Sequence, residues 1–339
     1  MSSAGTDILP THTPSLFAAA VARAVACLRA GEVVALPTET VYGLAANALD
    51  PRAVARIFEL KGRPAHNPII IHVASRPLAL HCAAHWPPLA DQLGAAFWPG
   101  PLTIVVPKSP VIPNIVTAGG ATVGIRWPQH PFMQAVIREC DFPLAAPSAN
   151  PSNHLSPTCA DHVARSFGNR LPLIVDGGDA NVGLESTVVD VSGPMPRILR
   201  PGMIDATALE RSTGLAWHQG PVAADTGILK SPGQLTRHYS PRARLVVRHW
   251  DDEADLQQQL EQLGAPVEAT WILAHTRVPL AGVLPHVCVI PDDPEAYARA
   301  LYGELHRCDD AGAALIVVEA PPAGPTWEAV ADRLRRAAA

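Results

Sequence analysis

Apolar side chains recur at helical spacing from Ser15 to Ala30, at Leu16, Phe17, Val21, Val25 and Leu28, and Gly31 follows as a stop. The run Val33 to Leu36 then predicts a strand. Asp50-Pro51 reads as an N-cap followed by proline at the first helical position, so a helix is predicted through Ala53–Leu60 to Lys61, with Gly62 ending it. Between strand and helix, Pro37 to Leu44 reads as a polar turn. Further strands are predicted at Ile69–Val73, Leu102–Val106, Thr122–Ile125, Leu144–Ala146, Leu173–Val175, Thr187–Val191 and Arg197–Leu199, with helices at Leu89–Phe97, Pro131–Cys140 and Cys159–Phe167. Alternating β-α units mixed with consecutive strands predict a mixed sheet. Periodicity fades from Ile204 to Ser240, where Gly214, Gly220, Gly227 and Gly233 punctuate the chain, and a linker is expected. A second rhythm starts at Ala243. Strands at Leu245–Val247, Trp271–Leu273, Val287–Ile290 and Leu315–Val318 alternate with helices at Ala254–Leu263, Pro294–Cys308 and Thr326–Arg336, the pattern of a small doubly wound α/β domain. It carries no G-x-G-x-x-G, which argues against a dinucleotide site there.

Composition narrows the classes. With 339 residues, 48% of them hydrophobic and 17% charged, the chain is long enough for two cores. No stretch approaches the roughly 18 apolar residues of a membrane span, and Met1–Pro14 lacks the parts of a signal peptide, so a cytoplasmic protein is expected. A net charge of −5 argues against a protein that binds nucleic acid mainly by neutralising phosphates. Six cysteines stand singly, without C-x-x-C, which fits reduced packed thiols. The groups His81, Cys82, His85 and His154, Cys159, His162 lack a closed tetrahedral spacing, and no transition metal is assigned.

Two polar clusters stand where apolar runs meet turns: Lys61-Gly62-Arg63-Pro64 and Ser148-Ala149-Asn150. An ammonium and a guanidinium fork beside a helix end suit one anionic group, a polyphosphate handle without a Walker loop. The plainer reading is that both merely charge the last helical turn. Likewise His72 reads as a structural histidine, Arg126 and Arg200 as ion-pair partners, and Ser148, Ser156 and Ser186 as turn residues when each is taken alone. Glu39 and Glu185 read as capping or solvated carboxylates before bases or magnesium ligands.

The order of the motifs changes that balance. PTETVYGL (37–44), KGRPAHNPIIIHV (61–73), FWPGPLTIVV (97–106), GIRWPQHP (124–131), APSANPS (146–152), GLESTVVD (183–190) and ILRPG (198–202) together resemble the YrdC-like domain of the threonylcarbamoyl-AMP synthases. The agreement runs from about Gly31 to Gly202, and Ser231-Pro232-Gly233-Gln234 with His238-Tyr239-Ser240-Pro241 points to the two-domain form. The resemblance implies an α/β fold: a twisted mixed open sheet with a concave active-site face at residues 12–204, an interdomain linker and lid at 205–241, and a small Rossmann-like doubly wound domain at 242–339. The implied reaction joins L-threonine, bicarbonate or CO2, and ATP into threonylcarbamoyl-AMP and pyrophosphate. This is the first step of threonylcarbamoyladenosine formation in tRNA, completed by a downstream tRNA transferase machinery. No covalent enzyme intermediate is needed, because a carbamate oxygen of N-carboxythreonine can attack the α-phosphorus in line.

On matching positions the resemblance implies that Lys61 and Arg63 act on the triphosphate, as the catalytic pair. Asn67, Thr122, Ser148, Asn150, Ser156 and Arg200 would join them on ATP, with Tyr239 reaching over the nucleotide. Thr40, His72, Arg126, Ala146 and Ser186 would hold threonine, Thr38 being the alternative to Thr40. A guanidinium at Arg126 can take a carboxylate bidentately, while His72 and the hydroxyls can read an amine or a hydroxyl. Mg2+ is expected to arrive with ATP, and neither stable nucleic-acid binding nor a membrane is expected. Two other classes stay open. One is a nucleic-acid-binding module; the other is the carbamoyl-adenylate chemistry of hydrogenase maturation proteins, whose zinc-finger and acylphosphatase domains this chain lacks.

Overall fold

The computed structural model describes residues 5–219, 229–232, 238–264, 266–280 and 284–339. The stretches 220–228 and 233–237 of the expected linker and lid lie outside the described residues. Two compact units separate, one formed by Met1–Ser152 and Ser156–Gln234, the other by Asn153–Leu155 and Leu235–Ala339.

In the first unit the chain runs β1 (Asp7–Pro10), α1 (Pro14–Arg29), β2 (Val34–Leu36), β3 (Gly43–Asn47), α2 (Pro51–Lys61), β4 (Ile71–His72), α3 (Arg76–Cys82), α4 (Pro88–Phe97), β5 (Leu102–Pro107), β6 (Thr122–Arg126), α5 (Pro131–Cys140), β7 (Leu144–Ala145), α6 (Ala160–Phe167), β8 (Leu173–Asp176), β9 (Thr187–Asp190), β10 (Arg197–Arg200), α7 (Ala206–Thr213) and β11 (His218–Gln219). Local chemistry sets several starts. Thr13 accepts from Leu16 N–H ahead of α1, Asp50 accepts from Arg52 N–H ahead of α2, and proline stands at the first helical position of both. Gly62 ends α2 in the left-handed region, φ 58°, which turns the chain at once toward β4.

The eleven described strands form one mixed sheet, in the order β1-β8-β2-β3-β7-β4-β6-β5-β9-β10-β11. Both faces are covered. Val33, Ala35, Leu44, Ala46, Leu102, Ile104 and Val106 enter one core, while Val34, Leu36 and Ala45 enter another beneath α1 and α5, where Phe17 meets Phe132 edge-on. Period-two alternation between two buried faces explains why β2 reads as an unbroken apolar run. Midway along the sheet, β4, β6 and β5 place His72, Arg126 and Thr103 in register.

Three expectations are corrected. The polar turn at Pro37–Leu44 ends earlier than predicted, because Gly43–Asn47 pairs antiparallel with β2; its small residues carry little strand propensity, and burial on both faces decides instead. A strand precedes residue 12, since β1 pairs in parallel with β8. The predicted linker does not begin at 205: α7 buries Leu209 in the first core and β11 extends the sheet beside β10, an eight-residue helix being too short to show a period.

In the second unit β12 (Arg244–Arg248), α8 (Glu253–Leu263), β13 (Thr270–Ala274), β14 (Val287–Val289), α9 (Pro294–Asp310), β15 (Leu315–Glu319) and α10 (Glu328–Ala337) build a parallel sheet in the order β12-β15-β13-β14. In open α/β sheets ligands bind outside the carboxyl ends of the strands. Here Glu319 fills that place: its carboxylate accepts the backbone N–H groups of His275, Thr276 and Arg277.

Gly202 shows how tightly the first sheet closes after β10. A Cβ there would stand 2.4 Å from Thr187 N and 2.8 Å from Ser186 C. Gly202→Ala should therefore destabilise the first unit by about 1–3 kcal/mol through overpacking. Urea denaturation measures it, and an unchanged midpoint would show that the β9–β10 contact gives way.

Candidate active site

Lys61 closes α2 with its ammonium turned inward. It is only 3% exposed, and Nζ donates to Ser148 O at 2.6 Å and to Asn150 O. The helix and the Ser148-Ala149-Asn150 turn are tied again by Ser152 N–H donating to Lys61 O, and Gly43 bridges Ser148. Arg63, one residue beyond the Gly62 turn, donates from Nε to Asn67 O, and from Nη2 to Asn67 Oδ1 at 2.8 Å and Pro68 O at 2.6 Å. Burial, with the neighbouring Arg63 charge, pushes the Lys61 ammonium well below the ordinary lysine range, against the pull of Glu185. An anion arriving here would reverse that balance.

A second group surrounds Arg126. Its Nη1 donates to Thr40 Oγ1 at 2.8 Å and Nη2 lies 2.7 Å from Glu39 Oε1, in an ion pair about 5% exposed on either side. Thr38 is spent on the turn: its hydroxyl donates to Val41 O and accepts from the N–H groups of Thr40 and Val41, which leaves Thr40 as the hydroxyl facing Arg126. His72 is fully buried beside the same guanidinium, and desolvation with that charge pushes its imidazole well below the usual range, so it is neutral at pH 7. Ala146 follows β7 with its N–H on Ile70 O.

Ser186 joins this group through β5 and β9. It shares a hydrogen bond with Thr103 at 2.8 Å, and Arg200 donates to its carbonyl and its hydroxyl, both at 3.0 Å. Next to it, Glu185 accepts from Ser156 Oγ at 2.5 Å. Glu185 and Ser186 thus connect the Lys61 side to the Arg126 side. Thr122 lies at the far end of β6 from Arg126, about 13 Å along the strand. It lines a cleft with Pro68, Ile70, Thr117 and Lys230, whose Nζ is held 2.9 Å from Asp190 Oδ2. Tyr239 belongs to the second unit, where it is 1% exposed at φ 61°, with its ring against His238 and Tyr302 and beneath the Arg333 guanidinium.

Two members of the cluster escape a reading of the sequence. Glu39 reads as a capping carboxylate but is the buried counter-ion of Arg126; burial alone would raise its pKa, and Arg126 with the Gln129 N–H outweighs that and holds it below the usual value. Thr103 sits in an apolar strand, and only the register opposite Arg126 marks it.

The charges of this cluster do not balance. Lys61, Arg63, Arg126 and Arg200 face two buried carboxylates, Glu39 and Glu185. Around Arg126, four buried atoms, Arg126 Nε and Nη2, His72 Nδ1 and Glu39 Oε2, find no hydrogen-bond partner among the described residues, although Nη2 is ion-paired with Glu39 Oε1. Buried polar atoms are nearly always satisfied in native proteins, so these point to a polar ligand with both acceptor and donor groups. Net positive charge suits two anions held close together.

Comparison with known proteins identifies the family of the chain. Residues 26–202 match the family described as "Telomere recombination", Sua5_yciO_yrdC, and residues 204–339 match the "Threonylcarbamoyl-AMP synthase, C-terminal domain". The threonylcarbamoyl-AMP synthase of Pyrococcus abyssi is 40% identical over 91% of both chains, and that of Bacillus subtilis is 39% identical over 98% of this chain and 95% of its own. The structure of P. abyssi Sua5 complexed with L-threonine superposes with a TM-score of 0.87 at 36% identity, covering 98% of each chain. Escherichia coli YciO shares the fold of the first unit, with a TM-score of 0.53 at 21% identity over 60% of this chain.

Removing one half of the Glu39–Arg126 pair tests the electrostatics. Arg126→Ala strands a carboxylate in the core and should cost about 3–5 kcal/mol at neutral pH. In that variant burial raises the Glu39 pKa above its unfolded value, so stability is present at low pH and lost as pH rises through the raised pKa. In the wild type the Glu39 pKa is depressed, and its contribution is lost only as pH falls through it. Denaturant unfolding at pH 5 and pH 8 reads this directly: the gap between the two proteins should narrow at pH 5, and a gap that stays constant would show that Glu39 is not the stranded charge.

Proposed function

This chain belongs to the threonylcarbamoyl-AMP synthase family, and from that premise we propose how its residues divide the synthase reaction. L-threonine, bicarbonate or CO2, and ATP yield threonylcarbamoyl-AMP and pyrophosphate. Threonine and bicarbonate first give N-carboxythreonine with loss of water (or, from CO2, of a proton), and its carbamate oxygen forms a bond to the α-phosphorus as the bond to pyrophosphate breaks. Nothing in this step needs a protein nucleophile. The protein's task is to hold two anions in line, keep water from the carbamate and stabilise the leaving pyrophosphate.

The buried excess of cations carries this reading. Lys61 and Arg63 take the triphosphate, with Asn67, Thr122, Ser148, Asn150, Ser156 and Arg200 on the remaining oxygens of ATP. Both basic residues are anchored on backbone carbonyls, so their charge is oriented before the nucleotide arrives. Arg126 takes the threonine carboxylate while Thr40, neutral His72, Ala146 and Ser186 read its amine and hydroxyl. Tyr239 contacts the nucleotide when the linker closes as a lid, which slows escape of a labile product.

Mg2+ comes bound to ATP and neutralises phosphate charge. Among the described residues, the donors near Lys61 are carbonyls, hydroxyls and the Glu185 carboxylate, already bonded to Ser156; they suit an ion held mainly by phosphate oxygens and water. The product passes to a downstream transferase that acts on tRNA adenosine. No described helix is long and apolar enough to cross a membrane, and the cytoplasm is the compartment in which ATP, threonine and tRNA meet.

Pyrophosphate release from Mg-ATP and bicarbonate, with and without L-threonine, tests the assignment. Release should require threonine and fall on the order of ten- to a hundredfold in Lys61→Ala and in Arg126→Ala, the loss of one charge-assisted hydrogen bond in each. Release that ignores threonine would overturn the substrate assignment, and salt-sensitive tRNA binding without turnover would favour the nucleic-acid module.

A further inference from the structure

We propose that Glu39 is a positioning residue for the synthase reaction, fixing the Arg126 guanidinium so that one edge of it stays open to the amino-acid substrate. The inference rests on the reading of Arg126 as the threonine carboxylate anchor.

Two contacts hold the fork and a third holds its backbone. Nη1 is held by Thr40 Oγ1, Nη2 by Glu39 Oε1, and the backbone of Arg126 by Val73 N–H donating to its carbonyl. Nε remains buried and without a hydrogen-bond partner among the described residues, and Nη2, although ion-paired with Glu39, makes no hydrogen bond there either. Glu39 is itself held rigidly. Its Oε1 also accepts Gln129 N–H at 3.0 Å, its carbonyl accepts Val182 N–H at 2.7 Å, and it stands between Thr38 and Thr40 in the turn that the Thr38 hydroxyl closes. A long arginine side chain loses much rotamer freedom when it binds an anion; here the protein's own contacts have removed that freedom beforehand. Glu39 also lowers the net charge at Arg126, so the site meets the substrate as a fixed geometry of donors and not as a bare positive charge. Its second oxygen, Oε2, is buried and unpartnered among the described residues, and it faces the same demand for a donor that the substrate's amine or hydroxyl can meet.

Positioning and simple charge make opposite statements about Glu39→Gln. If Glu39 only competes for Arg126, removing its charge frees the guanidinium and threonine binds more tightly. If it positions Arg126, threonine binds more weakly although the site is more positive. Steady-state kinetics on the full chain, with KM for threonine and for ATP measured separately, and calorimetric binding of L-threonine alone read the difference. We expect Glu39→Gln to raise the threonine KM and Kd on the order of ten- to a hundredfold, as a misplacement near 1 Å does, with the ATP KM within about twofold of wild type. Glu39→Asp keeps the charge but withdraws it by one methylene, and should show the same split in a smaller degree. It also serves if Glu39→Gln does not fold. Unchanged or tighter threonine binding in a folded variant overturns the proposal, as does an equal loss for threonine and ATP, which marks a general structural role. Arg126→Ala separates the underlying reading: if that variant binds threonine like wild type, Arg126 is not the anchor and the proposal falls with it.

Discussion

Burying positive charge is the constraint on which the rest of this structure depends. An ammonium or guanidinium removed from water costs several kcal/mol unless neighbouring dipoles and carboxylates replace its hydration. Four such groups, Lys61, Arg63, Arg126 and Arg200, are buried in the first unit, and each is met by groups that strand ends and turns supply. Lys61 needs the carbonyls of Ser148 and Asn150, Arg63 those of Asn67 and Pro68, and Arg200 that of Ser186. The turns cannot relax away from these partners without leaving a charge unsolvated, so the fold of the loops and the chemistry of the site are one problem.

The sheet supplies the precision. His72, Arg126 and Thr103 stand in register on adjacent strands because β4 pairs in parallel with β6 while β6 pairs antiparallel with β5. Glycine then turns the chain where the site begins: Gly62 ends helix α2, and Gly202 lets the exit of β10 pass against Thr187. Elements held on both faces by apolar packing carry side chains that remain incompletely satisfied, in the place where a polar ligand can meet them.

The second unit shows the opposite solution to a similar opportunity. Its parallel sheet has the ligand-binding end typical of open α/β folds, yet the Glu319 carboxylate occupies the backbone N–H groups there and is itself satisfied. Tyr239 is packed in the same unit against Tyr302 and the Arg333 guanidinium. The Glu319 carboxylate is thus closed by donors of its own unit, whereas Arg126 Nε, His72 Nδ1 and Glu39 Oε2 have no hydrogen-bond partner among the described residues.

The sequence by itself determined most of the helices, the Asp50 cap of α2, the apolar strands, the mixed character of the first sheet, the parallel rhythm of the second domain and the polar clusters at Lys61–Arg63 and Ser148–Asn150, but not α3 or α7. These signals are local: a capping side chain, a period of two or 3.6, or a stop residue acts over a few neighbours. Tertiary structure alone decided that Gly43–Asn47 is a strand, since alanine and glycine become β only where both faces are already covered, and that residues 206–219 belong to the first unit, since one buried leucine and a two-residue pairing leave no periodic trace. It also decided the partner of Glu39. A carboxylate in a polar turn reads as solvated until the fold brings the guanidinium of a distant strand within 2.7 Å. Burial and charge pairing are properties of three-dimensional neighbours, which the order of residues along the chain does not display.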